Sequence, residues 1–287
     1  MASKFARTFG QDLMRGEHIV GGQLKPTTNA SANAMHYAGG FEESAPGASG
    51  TSIFDPVLCE LVYRWFCPTA GTVLDPFAGG SVRGIVASHI GLQYIGIDLR
   101  PEQVEANRAQ GGIAKDPQPV WIAGDSRNIK TLCGDVSADL VFSCPPYADL
   151  ERYSDDPNDL STLDYPAFME AYRAIIAACC AMLKPNRFAC FVVGDIRDKK
   201  GFYRGFVSDT ARAFEDAGMR LYNEAILVTA VGSLPIRVGK QFSGGRKLGK
   251  THQNVLVFYN GDPKRIKDDF GESCEFGMLD ADADDSI

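Results

Sequence analysis

Two short strings in this chain carry residue types that can do chemistry. Asp75-Pro76-Phe77-Ala78-Gly79-Gly80 reads as a strand running into a tight glycine turn. Ser143-Cys144-Pro145-Pro146-Tyr147 reads as a strand running into a stiff turn with an aromatic ring at its tip. Gly79 and Gly80 let a ligand lie close to the backbone, because no side chain blocks it. Ser81 follows, placed to cap the next helix. Two further acids end strands: Asp98, followed by Leu99, in Gly96-Ile97-Asp98-Leu99, and Asp125, followed by Ser126, in Ala123-Gly124-Asp125-Ser126. A carboxylate in the first position can accept both hydroxyls of a ribose, and one in the second can accept an adenine amino group. The prolines fix a backbone carbonyl, and Tyr147 offers a face for a flat group. The combination predicts a nucleotide-like pocket with a slot for a planar group beside it.

The elements that must position these residues follow from the apolar pattern. Short apolar runs predict strands at 72–77, 94–99, 120–124, 138–143, 188–193, 221–231 and 254–259, with helices at 81–90, 101–110, 165–183 and 204–217. An earlier helix carries Leu58, Leu61, Val62, Trp65 and Phe66. In the 165–183 helix, Phe168, Tyr172, Ile175, Cys179 and Met182 recur at helical spacing and read as core. Strands alternating with helices predict a parallel, doubly wound sheet, which binds nucleotides at the carboxyl ends of its strands. The last two strands lack an obvious intervening helix and predict an antiparallel hairpin at the sheet's end. Residues 1–51 form a Gly/Ala/Ser-rich extension, 52–262 the main domain and 263–287 an acidic tail. Within 266–287, eight acids stand against Lys267; this accounts for the whole net charge of −7 and leaves 1–265 balanced. A nucleic-acid partner is therefore compatible with overall charge, and local distribution decides.

The chain lacks a P-loop GxxxxGK[ST], which argues against nucleoside triphosphate hydrolysis, and a strict GxGxxG, which weakens a nicotinamide reading. An acid before the glycines suits a positively charged cofactor such as S-adenosylmethionine, whereas a pyrophosphate would be repelled. The 45% hydrophobic content is enough for a substantial core, and no apolar run approaches the roughly 20 residues that span a bilayer. Eight scattered cysteines match neither a disulfide frame nor a zinc set, so free thiols in a reducing cytoplasm are expected, with no metal.

With these strings in order, the sequence resembles the amino-methylating DNA methyltransferases. Asp75–Gly80 is similar to that family's cofactor motif, GIDL and AGDS to its second and third cofactor motifs, and CPPY to its catalytic motif, usually [DNS]-P-P-[YFW]. Phe54, ahead of the first strand, resembles the residue that completes the cofactor pocket. The resemblance covers about 52–261. It implies a Rossmann-like class I methyltransferase with a seven-stranded, mostly parallel sheet. The cofactor would be S-adenosylmethionine, and the substrate an adenine 6-amino or cytosine 4-amino group on a base extruded from duplex DNA. It places the protein in a bacterial or phage-infected cytoplasm, in the setting of restriction–modification. Phage or host origin, a cognate nuclease, and a homodimer or partner specificity chain stay open.

One departure stands out. Cys144 occupies the position of the motif's Asp, Asn or Ser, and a thiol is a weak acceptor. Ser143 in a shifted register, a backbone carbonyl, or supplementation by Asp149 are the ways to replace it; Ser143 tips the reading towards cytosine. A carbon-5 attack by Cys144 is an alternative, although in carbon-5 enzymes the cysteine follows the prolines. RNA, a protein glutamine, or cofactor binding without turnover are further alternatives. Residues 232–253 read as a glycine-rich loop carrying Arg237, Lys240, Arg246, Lys247 and Lys250 and no acid; with His252, these are the candidate phosphate contacts. Residues 148–164 are acidic and read as a lid or solvated loop.

Overall fold

The computed structural model describes residues 17–20, 23–26, 54–148, 152–228 and 234–271. Seven strands make the central sheet: β1 (Thr72–Asp75), β2 (Gln93–Asp98), β3 (Val120–Ala123), β4 (Ala138–Ser143), β5 (Leu183–Val193), β6 (Arg220–Val228) and β7 (His252–Tyr259). Their order is β3-β2-β1-β4-β5-β7-β6. β1 to β5 pair in parallel, and β7 inserts antiparallel to both β5 and β6. A separate two-stranded pair, Glu17–Val20 with Gln23–Pro26, lies in the region expected to lack core.

Along the inner strands, successive residues face opposite sides and both sides are apolar. Leu74, Val141, Phe191 and Phe258 join one core; Val73, Leu140, Phe142, Cys190 and Val257 join the other. A sheet covered on both faces demands this continuous apolar run rather than alternation with polar residues. The first core is closed by α5 (Tyr165–Met182) and α6 (Phe206–Asp216), the second by α1 (Pro56–Phe66) and α2 (Val82–His89). The expected α5 face is buried in full: Phe168, Tyr172, Ile175, Cys179 and Met182. α1 starts where Asp55 accepts the Val57 and Leu58 N–H groups and Pro56 fills the first turn. Its buried face is Cys59, Val62 and Tyr63, rotated from the expected stripe, and Trp65 is 43% exposed.

α3 (Pro101–Ala109) and α4 (Ile129–Cys133) complete the crossovers. The link between β6 and β7 differs from expectation. It contains α7 (Leu234–Gly245), so the last two strands are paired but not joined by a bare loop. Pro235 and three glycines within it made the stretch read as a loop. A short α8 (Ile266–Phe270) follows β7. The seven described cysteines are free thiols. Among the described residues no helix is long and apolar enough to cross a membrane.

At the amino end of the sheet, Asp139 ties three strands together. It accepts the Thr72 N–H and pairs with Lys184 at 2.8 Å and Arg187 at 3.1 Å. The carboxyl ends of β1 to β5 are thereby left as one rim, with a strand-order reversal between β1 and β4, where doubly wound sheets open a crevice.

Candidate active site

A cavity of about 490 Å³ sits on that rim, within the usual range of ligand sites. One half is lined by the ends of β1, β2 and β3. Gly79 adopts φ +50°, and a Cβ on Gly79 or Gly80 would meet no atom within 4 Å, so the space before the turn is open. The turn is pinned from behind: Ala78 N–H donates to the Ile97 carbonyl at 2.8 Å and Gly79 N–H to Asp98 Oδ2 at 3.0 Å. Gly96 is needed for this closeness, since a Cβ there would lie 2.9 Å from that of Ala78. Asp98 Oδ1 accepts the Arg100 N–H at 2.9 Å. Burial pushes the Asp98 carboxyl up from 3.8, against the opposing pull of those N–H groups and the Arg100 guanidinium.

Phe54, Pro76, Phe77, Gly79, Gly80, Asp98, Leu99, Asp125 and Ser126, all expected at a cofactor, line this half. Asp125 is held by Arg127, which reaches on to Asn158 of the acidic segment. Ser126 donates to the Pro76 carbonyl at 2.5 Å. Three expected residues lie elsewhere. Ala78 is buried beneath the turn. Ser81 makes no side-chain cap; its hydroxyl donates to Gln110 instead, because Ser81 itself has helical backbone angles and lies too far into the turn.

The larger correction concerns Asp75. Its carboxylate is fully buried and does not line the cavity. Arg83 Nε donates to Oδ2 at 2.6 Å, Tyr94 donates to the same oxygen at 2.7 Å, and Ser143 and Phe77 N–H donate to Oδ1 at 2.5 and 3.1 Å. Arg83, 4% exposed, also donates to the Phe77 and Ala78 carbonyls and lies 4.6 Å from the Phe54 ring centroid. Asp75 therefore neutralises an internal guanidinium and shapes the turn; it does not face a ligand's positive charge. Ser143 is itself fully buried and does not line the cavity, which removes it as a catalytic acceptor. Nothing in the local sequence marked Arg83; only burial reveals it.

The other half of the cavity holds Cys144, Pro145, Pro146 and Tyr147. Tyr147 accepts a hydrogen bond from Gln253 Nε2 and meets Phe206 edge-on at 6.1 Å, which fixes its ring. Lys247, Leu248, Gly249, Lys250, His252 and Gln253 line the cavity as well, so the three basic candidates nearest β7 reach the site. Burial lowers the Lys250 ammonium, partly offset by Asp195. Lys240 and Arg246 are exposed outside the cavity, Arg246 against the Phe242 ring, and the Arg237 side chain lies outside the described residues. Asp149 does too.

Tyr153, Asn158, Asp159 and Leu160 of the acidic segment close one side, and Gly194, Asp195, Arg197 and Tyr203 beyond β5 another. The sequence reading missed this last group. Asp195 follows a strand and a glycine, the same signal as Asp125, and that pattern could have found it. Among the described residues no His/Cys/Asp/Glu cluster is arranged to hold a metal.

The cofactor half fits an adenosine bearing an S-linked amino acid. An open backbone turn, an acid at each of the next two strand ends and the apolar flanks of Phe54, Ile97 and Leu99 converge there. No family model matches the sequence, and no curated protein does. Among solved structures, the chain is similar to TrmN from Thermus thermophilus, at 14% identity and a TM-score of 0.48 over 80% of this chain and 53% of that one. It thus spans about half of the Thermus protein. It is also similar to the magnesium protoporphyrin IX methyltransferase of Synechocystis PCC 6803, solved with bound SAM, at 11% identity and 0.48 over 90% and 98% of the two chains. Likenesses this distant assign no substrate. The strand order and the reversed β7 stand by themselves: the fold is that of the Rossmann-like class I S-adenosylmethionine-dependent methyltransferases.

Proposed function

We propose that the protein is an S-adenosylmethionine-dependent methyltransferase acting on an exocyclic amino group of a base in DNA. One observation carries the reading. The Cys144–Tyr147 turn and the Gly79–Gly80 turn open into one cavity, which Lys247 and Lys250 also line. The cofactor supplies an electrophilic methyl group. The residues at its half of the cavity, Gly79, Gly80, Asp98 and Asp125, hold it. Tyr147, stiffened by Gln253 and Phe206, offers a stacking face for a base turned out of the duplex, whose amino nitrogen is otherwise out of reach. An exocyclic amine is a poor nucleophile because its lone pair is spread into the ring, so acceptors near Cys144 must draw on its N–H groups as the nitrogen pyramidalises. Lys247, Lys250 and His252 hold the adjoining phosphates.

The lean towards cytosine rested on the likeness of Ser143–Tyr147 to the serine version of the motif. Ser143 is buried and does not line the cavity, so cytosine and adenine stand as two outcomes of one test. Incubation with methyl-labelled cofactor and mixed-sequence duplex, followed by nucleoside mass spectrometry, is expected to give N4-methylcytosine or N6-methyladenine. 5-Methylcytosine would instead point to Cys144 as a nucleophile. Label entering RNA or a glutamine peptide, but not DNA, would overturn the reading.

A further inference from the structure

We infer that Asp195 is the acceptor for the target amine, taking the role for which Cys144 is unsuited. The inference deepens the proposed function and rests on it. The chemistry calls for a strong acceptor beside Tyr147, and neither residue of the local sequence supplies one: Ser143 is buried away from the cavity, and a thiol is weak.

The sheet supplies the replacement from the neighbouring strand. β4 and β5 run in parallel with Ser143 opposite Phe191, and the two chains continue past the rim to Tyr147 and Asp195 respectively. Their proximity shows at Gly194, where a Cβ would lie 3.8 Å from the Tyr147 phenol oxygen. Asp195 lines the cavity. Its Oδ1 accepts the Phe206 N–H at 2.9 Å, which fixes the carboxylate at the start of α6. Among the described residues nothing hydrogen-bonds Oδ2.

The other acids lining the cavity are engaged more fully. Asp98 takes N–H groups from Gly79 and Arg100 on its two oxygens. Asp125 is bound through both oxygens by Arg127. Asp159 receives Ser161 on one oxygen and Ser154 on the other. Asp195 alone among them combines a fixed rotamer, an oxygen with no hydrogen-bond partner among the described residues, and a place next to Gly194, which borders the Tyr147 phenol.

In the transfer, an amine N–H donates to Asp195 Oδ2, which concentrates the lone pair on nitrogen. That pair forms the N–CH3 bond as the S–CH3 bond breaks, and the S–C electrons stay on sulfur. The surplus proton leaves nitrogen towards Asp195 and passes to solvent. A neutral N-methylamine and a neutral thioether remain.

The test compares Asp195→Ala, Asp195→Asn and the double change Cys144→Asp with Asp195→Ala, in the full-length protein. Cofactor affinity by titration calorimetry is followed beside single-turnover methylation of duplex DNA. Asp195→Ala is expected to lower the rate about 100-fold with cofactor Kd unchanged. Asp195→Asn keeps the Phe206 cap and should lose about tenfold, since a neutral amide oxygen is the weaker acceptor. Placing the carboxylate back through Cys144→Asp should restore about tenfold over Asp195→Ala. A rate within about threefold of wild type in Asp195→Ala, or a loss that Cys144→Asp leaves unrepaired, overturns the assignment and reduces Asp195 to a helix cap. A wild-type protein that binds cofactor yet methylates no DNA overturns the proposed function as well, and so the two failures are told apart.

Discussion

The acid in the signature string and the acid outside any string behave in opposite ways. Asp75 is fully buried, receives four donors and offers nothing to the cavity. Asp195 is half-buried, receives one, and points its remaining oxygen at no described partner. Both end a strand on the same rim. The difference lies in what stands behind them: under β1 a buried guanidinium has to be neutralised, and beyond β5 only a helix start has to be capped. A buried charge is kept for the partner it satisfies, whereas a charge at a cavity wall remains available to a ligand.

The sharpest way to break that comparison is to remove the guanidinium. Arg83→Met strands Asp75 as an unpaired buried carboxylate and should cost about 3–5 kcal/mol in denaturant unfolding. The combined change with Asp75→Leu should recover part of that loss, since replacing both charges by apolar groups relieves the desolvation. A loss below about 1 kcal/mol would mean the Asp75 site is not the closed structural unit described here.

Tyr147→Ala comes next. A lost stacking face is worth about 1–3 kcal/mol, so turnover on duplex DNA should fall roughly 5- to 150-fold with little change in melting temperature. Tyr147→Phe, which deletes the bond from Gln253 and keeps the ring, should cost about 1 kcal/mol or less. Equal losses in the two variants would shift the weight from the ring to the hydroxyl.

The basic wall should respond more gently. Lys247→Ala and Lys250→Ala are each expected to weaken DNA binding across all sequences and to lower the salt slope by about one. Lys240→Ala, outside the cavity, should do neither. If all three behave alike, the basic residues act as a diffuse field and the cavity wall is not special.

The smallest effect is on pH. Asp98 is raised above 3.8 by burial, so on acidification it protonates earlier than an ordinary carboxylate. Cofactor affinity, which draws on its ionised oxygens, should therefore weaken with a midpoint above 3.8, and Asp98→Asn should abolish that step in a calorimetric titration. For folding the sign is reversed: the folded state holds this proton more tightly than the unfolded chain. Asp98 therefore favours folding at low pH and loses that contribution as pH rises through its folded value.

Much of the architecture was legible in the chain. The strand positions followed from short apolar runs, and α5 from a helical stripe that proved buried residue for residue. Gly79, Gly80, Asp98, Asp125 and the Cys144–Tyr147 turn reach one cavity as the strand-end pattern predicted, because parallel strands deliver their carboxyl ends to the same rim. α7 escaped detection because Pro235, Gly239, Gly244 and Gly245 are loop signals in sequence.

What the chain fixes by itself is local: which segments are strands, where they stop and which chemical groups stand at their ends. Which carboxylate meets a ligand was decided only by packing. Asp75 and Asp195 look alike in one dimension, and charge neutralisation depends on the residues that the fold brings around each: Arg83, Tyr94 and Ser143 about one, the Phe206 N–H and the more distant Lys250 about the other. Those neighbours come from different strands and helices, and the energy of a buried charge is set by everything within a few ångströms of it, however distant along the chain.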